Sequence, residues 1–182
     1  MAVSPFLYPL DEFYAQAARS LPVINTVSED RIPEPYRVLL VHDQDMTPAL
    51  EAFHRQNIHL RILSRQHRGD FYFREVVLAL DGTEQPVEFG AIKINLTAFP
   101  RAARREILEE RLPLGHILNE HKIPHASRPK AFLRIVSDDF IRGALQLKGA
   151  EVLYGRRNTL LNPKKLPVAE IVEILPPTNS HE

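Results

Sequence analysis

Cysteine is absent from all 182 residues, which excludes disulfides, thiolate metal sites and a cysteine nucleophile. Net charge is absent too, with Lys plus Arg and Asp plus Glu at 23 each. A neutral chain has no global field to attract nucleic acid, so no nucleic-acid partner is expected, while a local basic pocket for a small anion stays open. No run approaches the ~18 apolar residues needed to cross a bilayer. The opening stretch MAVSPFLYPLDEFYAQAARS lacks a basic start, and Pro5, Pro9, Asp11 and Glu12 cut its apolar run, unlike a signal peptide. The expectation is a cytoplasmic protein without stable membrane insertion. Catalytic signatures are missing as well: no HExxH, no glycine-rich phosphate loop, no GxSxG. His42, His54, His116 and His121 are scattered, so no metal site is expected.

What is present is an ordinary globular balance, 44% hydrophobic and 25% charged, on a length that suits one domain. No repeat, low-complexity tract or linker divides it. The expectation is a single domain over 1–182, with a disordered tail over 177–182. Leu10, Phe13, Tyr14 and Ala17 have helical spacing within 8–20. Pro22, Pro33 and Pro35 make 21–36 a surface connection. YRVLLVH (36–42) is either a strand or a buried helical turn. Thr47 as N-cap and Pro48 at the first helical position predict a helix ending near Gln56-Asn57. Strands are predicted over 58–66, 71–80 and 86–96, with Asp81-Gly82 turning the second into the third. A charged amphipathic helix spans 100–112. Pro113-Leu114-Gly115 interrupts it, and a shorter helix runs on to about Glu120. Residues 121–130 read as a loop and 131–137 as a strand. A second hairpin joins 151–161 to 168–175 around NPKK (162–165). The whole is α+β: a single antiparallel sheet with helices packed on it.

Charges then stand where apolar residues belong. Strand alternation puts Arg74 in one row with Tyr72, Val76, Leu78 and Leu80. A buried guanidinium needs an anion or carbonyls, and its planar fork fits a carboxylate. The partner is either a ligand carboxylate or an internal Asp or Glu. In 168–175, Glu173 shares a face with Ala169, Ile171 and Leu175, whereas Glu170 lies on the opposite face with Val168, Val172 and Ile174. At least one Glu therefore points inward if either face is buried. It either pairs with Arg74 or flanks a pocket opposite it. Arg156 and Arg157 are adjacent in a strand, so at most one of them faces a shared pocket.

HDQDMTPALEAF (42–53), REVVLALDG (74–82), LPLGHIL (112–118) and YGRRNTLLNPKKLPVAEIVEILP (154–176), taken in order, resemble the chorismate lyase family. The match spans roughly 38–176 and is poor over 121–150. The resemblance implies a chorismate lyase-like fold and a carbon–oxygen lyase. Such an enzyme converts chorismate to 4-hydroxybenzoate and pyruvate without a cofactor, in a pocket enclosed by mobile flaps. It assigns Arg74 to the ring carboxylate and Glu173 to the ring hydroxyl, as the catalytic pair, with Leu114 and Met46 as pocket walls. One of Arg156 and Arg157 would take the enolpyruvyl carboxylate. The same fold serves as the effector-binding half of many bacterial repressors. A non-catalytic aromatic-acid sensor is therefore the alternative. The enzyme is the favoured expectation because only the residues before 38 precede the first matched motif, too few for a winged-helix domain.

Overall fold

The computed structural model describes residues 6–178. Residues 1–5 lie outside that range, as do 179–182 of the expected tail; Pro177 and Thr178 follow the last strand without regular structure. Seven strands form one sheet: β1 (Ile24–Val27), β2 (Ile58–Arg68), β3 (Phe71–Leu80), β4 (Pro86–Asn95), β5 (Ala126–Val136), β6 (Val152–Leu161) and β7 (Pro167–Leu175). Their spatial order is β1-β5-β6-β7-β4-β3-β2, antiparallel throughout. The sheet is two meanders, β2-β3-β4 and β5-β6-β7, joined where β7 docks beside β4. The last strand in sequence thus occupies the middle of the sheet. The fold is α+β with a single antiparallel sheet, as the sequence predicts.

Helices cover both faces. On one, α1 (Leu10–Gln16) and α6 (Asp139–Leu145) pack over Phe73, Phe89, Leu133, Val172 and Ile174. On the other lie α2 (Tyr36–Leu40), α3 (Met46–His54), α4 (Arg101–Glu109) and α5 (Leu114–Glu120), over two separate apolar clusters. Two-sided burial explains why β3 reads as a nearly continuous apolar run and not as an alternation. Each fully buried Phe or Ile here contributes about 2 kcal/mol.

Local details depart from expectation where a partner outweighs local preference. Residues 21–36 contain β1, an edge strand of four residues that is defined only by its pairing with β5. The supposed loop 121–130 already contains the start of β5, which tolerates Pro129 at a register shift. The ambiguous 36–42 run is helix α2. Asp45, not Thr47, occupies the N-cap of α3, without a side-chain capping bond, because its carboxylate is held by His125 instead. Thr47 is buried against Gly115, where an added Cβ would come within 2.9 Å of its side chain. That close approach seats α5 on α3. In β2 the simple alternation fails at a bulge between Ile62 and Ser64, leaving Leu63 exposed and aiming Ser64 at Glu75. Helix α6, capped by Asp138 through the Ile141 amide (2.8 Å), lies in a stretch to which the sequence reading assigned no element.

Candidate ligand-binding site

On the face covered by α3 and α5, the sheet residues and the first turns of the two helices leave a cavity of about 540 Å³, its mouth included. Its floor alternates along the strands: Arg74, Val76 and Leu78 from β3; Glu88, Gly90 and Ile92 from β4; Ile171 and Glu173 from β7; Asn158 and Leu160 from β6. Leu60 of β2 closes one side. Asp45, Met46 and Thr47 at the start of α3, with Pro113, Leu114, Gly115 and Leu118 of α5, form the roof. The cavity parts the two apolar clusters on this face, so its walls are apolar and its polar groups few.

Arg74 stands at one end and is 2% exposed. Its guanidinium donates to the carbonyls of Ile107 and Leu112 at 3.4 and 3.5 Å, both long, and its Nε has no partner. Among the described residues no carboxylate forms an ion pair with it. Burial pulls its pKa down to about 10, against the favourable influence of Tyr72 and Glu110 nearby. Glu110 is itself occupied, accepting from the Tyr72 hydroxyl and from Arg65 at 2.6 Å. The guanidinium thus faces the cavity with its own protein partners few and weak.

Glu173 lines the same cavity but does not pair with Arg74. It accepts from Arg156 Nε at 2.5 Å. Arg156 is fully buried and donates further to the carbonyls of His42 and Gln44, both at 2.9 Å, and of Leu40 at 3.3 Å. A guanidinium has five N–H donors, and here they tie the end of α2 and the turn before α3 to the middle of the sheet. Arg156 therefore positions the roof and does not line the cavity. Arg157 points to the opposite face, where it donates to Glu170 (3.2 Å) and the Asn158 carbonyl (2.7 Å). Neither cation is placed to receive a second ligand carboxylate. The alternation also separates the two glutamates: Glu173 is on the cavity face, and Glu170 is with Arg157 and Lys93 on the other. Met46 and Leu114, expected as walls, both line the cavity.

Glu88 is the residue that sequence reading missed. It is 5% exposed and lines the cavity on the same row as Gly90 and Ile92. Its Oε2 has no partner. Burial, reinforced by the neighbouring Glu173 and only partly offset by Arg156, holds its carboxyl well above the usual carboxylate range. The alternation that exposed Arg74 would have found it, had PVEFGAIKIN been read the same way. Asn158 was missed likewise: it is fully buried, donates to Ser127 Oγ at 2.7 Å, and its Oδ1 is unpartnered. Beyond the roof, Asp45 accepts from His125 at 2.6 Å and borders two further hollows outside the cavity. Among the described residues no cluster of three or more His, Asp or Glu is arranged to hold a metal, and no helix is long and apolar enough to cross a membrane.

No protein-family model and no curated protein matches this chain. Solved structures do share its fold. The ligand-binding domain of a protein assigned to the GntR-family transcriptional regulators of Bordetella bronchiseptica superposes with a TM-score of 0.51 at 15% identity, covering 67% of this chain and 87% of that one. The effector domain of PhnF from Mycobacterium smegmatis gives 0.54 at 12% identity, over 72% and 87%. The possible transcriptional regulator YydK of Bacillus subtilis gives 0.56 at 13% identity, over 97% and 87%. At these identities the likeness establishes the fold alone, which is the fold that the sequence resemblance implies. The expectation of a lyase is corrected by it. The three structures named are a ligand-binding domain, an effector domain and a possible transcriptional regulator, and none of them brings an enzymatic activity to the comparison.

Proposed function

We propose that this chain is a non-catalytic effector-binding domain whose cavity takes a small aromatic monocarboxylate, with the ligand carboxylate on Arg74. One observation carries the reading: a guanidinium buried at the end of an apolar cavity, with two long carbonyl contacts, Tyr72 beside it and, among the described residues, no carboxylate in ion-pair contact. An uncompensated buried charge costs several kcal/mol, and a ligand carboxylate in bidentate contact would offset that cost. Leu114, Met46, Ile92 and Leu160 present apolar surface to a ring. Glu173 and Glu88 stand at the far end, beside whatever substituent the ring carries there. The likeness to regulator ligand-binding and effector domains supports the same use of the fold. Among candidate ligands, 4-hydroxybenzoate fits the carboxylate-and-ring description.

Calorimetric titration with 4-hydroxybenzoate, and chromatography of chorismate incubated with the protein, test this together. The expected result is saturable one-to-one binding, with chorismate recovered at the rate of the protein-free control. Accelerated release of 4-hydroxybenzoate would refute the non-catalytic reading. Absence of binding by every aromatic carboxylate tried would refute the cavity assignment.

A further inference from the structure

The end of the cavity remote from Arg74 holds an asymmetric pair of carboxyl groups. Glu173 and Glu88 sit on adjacent antiparallel strands, with Glu173 directly opposite Gly90, two residues along β4 from Glu88. Diagonal neighbours of this kind stand about 7–8 Å apart at Cα, within reach of each other's side chains. Arg156 donates to Glu173 and to the backbone carbonyls of Leu40, His42 and Gln44, and it makes no hydrogen bond to Glu88. Glu88 keeps an oxygen with no partner. The direction of its side chain is set by Gly90. A Cβ built at Gly90 would lie 3.0 Å from Glu88 Oε1, so the carboxyl leans over the bare glycine, toward the Arg74 end. Arg74 itself is opposite Ile92, the next residue in that row. Glu88 thus reaches into the space between the two ends of the site.

Building on the carboxylate-binding function above, we propose that Glu88 is a specificity-determining ligand contact. It donates a hydrogen bond to an uncharged acceptor, such as a hydroxyl, at the far end of the ligand, and it rejects a second carboxylate there. The charged groups facing it are Glu173 from β7 and Arg156 from β6, with His42 behind Arg156, Arg74 from β3, and Asp45 at the start of α3. One guanidinium at that end cannot neutralise two carboxylates and a dianionic ligand. The burial that favours the protonated form of Glu88 supplies the donor. Raising the pH removes that proton and places a bare anion against the ligand, so affinity falls as pH rises.

Three probes read this out by calorimetry between pH 5.5 and 9: benzoate, 4-hydroxybenzoate and terephthalate. Wild-type protein should favour 4-hydroxybenzoate over benzoate and over terephthalate by tenfold or more, and should lose 4-hydroxybenzoate affinity toward alkaline pH. Glu88→Gln keeps an uncharged donor. It should bind 4-hydroxybenzoate within threefold of wild type at pH 6 and show a flat pH profile. Glu88→Ala should erase the preference for 4-hydroxybenzoate over benzoate while still binding benzoate, which also shows that the variant is folded. The inference is overturned if Glu88→Ala keeps the hydroxyl preference, if the pH profile survives in Glu88→Gln, or if terephthalate binds wild type as well as 4-hydroxybenzoate. If none of the probes binds wild type, the carboxylate function itself is refuted, and the inference falls with it.

Discussion

Replacing Arg74 with Met should stabilise the ligand-free protein and abolish its binding of aromatic carboxylates. Native burial pulls the guanidinium pKa from its usual range down to about 10. At ~1.4 kcal/mol per pH unit this is a native-state cost of about 3 kcal/mol, borne at any pH where the group is charged. Against it stand two long carbonyl bonds, together on the order of 1 kcal/mol, and the packing of the aliphatic stem, which Met largely preserves. The freed carbonyls of Ile107 and Leu112 return part of the gain. The net expectation is about 1 kcal/mol of stabilisation, or roughly 2–4 °C in Tm for a chain of this size. Ligand affinity should drop by about 2–5 kcal/mol, because the ligand carboxylate would be buried opposite a thioether. Urea unfolding monitored by circular dichroism and calorimetry with 4-hydroxybenzoate measure the two halves. A variant destabilised by more than about 1 kcal/mol would mean that Arg74 is well satisfied inside the protein and that the argument for an awaited anion is wrong. Unchanged affinity would mean the same.

The other predictions concern the scaffold. Glu173→Ala strands the fully buried Arg156 and should cost about 3–5 kcal/mol, whereas Glu170→Ala, on the partly exposed side of Arg157, should cost about 1 kcal/mol or less in the same urea assay; equal losses would contradict the buried clamp. Gly155→Ala should fail to give native dispersion in NMR spectra, because its Cβ would stand 2.2 Å from the Glu173 carbonyl in the neighbouring strand. Gly143→Ala, inside α6 with open space around it, should gain about 0.5–1 kcal/mol, and a loss there would undercut the packing argument. The Asp45 carboxylate raises the His125 pKa above its unfolded value near 6.5. The stability from that pair is therefore fully present below about pH 6.5 and fades as pH climbs through the folded value. Thermal melts from pH 5.5 to 8.5 should show this decline, and Asp45→Asn should flatten it; an unchanged slope in the variant would place its origin elsewhere.

Much of the sheet was legible because strand chemistry is local. The aromatic and β-branched run 71–80, the Asp81-Gly82 turn with Gly82 at φ +81°, and the NPKK connection with Lys165 at φ +62° each announce themselves within ten residues. Elements without such signals were lost. β1 is a strand only because β5 pairs with it. The first half of β5 hides behind Pro129, and the bulge at Ile62/Ser64 defeats plain alternation. At the site, alternation alone identified Arg74 as a cation on an apolar row and separated Glu173 from Glu170. It would have found Glu88 too, since that residue breaks the same pattern.

The sequence by itself determined the α+β class, most strand boundaries, and the presence of charges on faces that must be buried, because those follow from the period of two along a strand and from local turn chemistry. Only the tertiary structure decided which charge meets which. Insertion of β7 between β4 and β6 sets Glu173 against Arg156 and diagonal to Glu88, while among the described residues no carboxylate forms an ion pair with Arg74. Pairing between residues distant in sequence depends on strand order and register, which no local pattern encodes. That pairing joins Glu173, on the cavity face, to the buried Arg156.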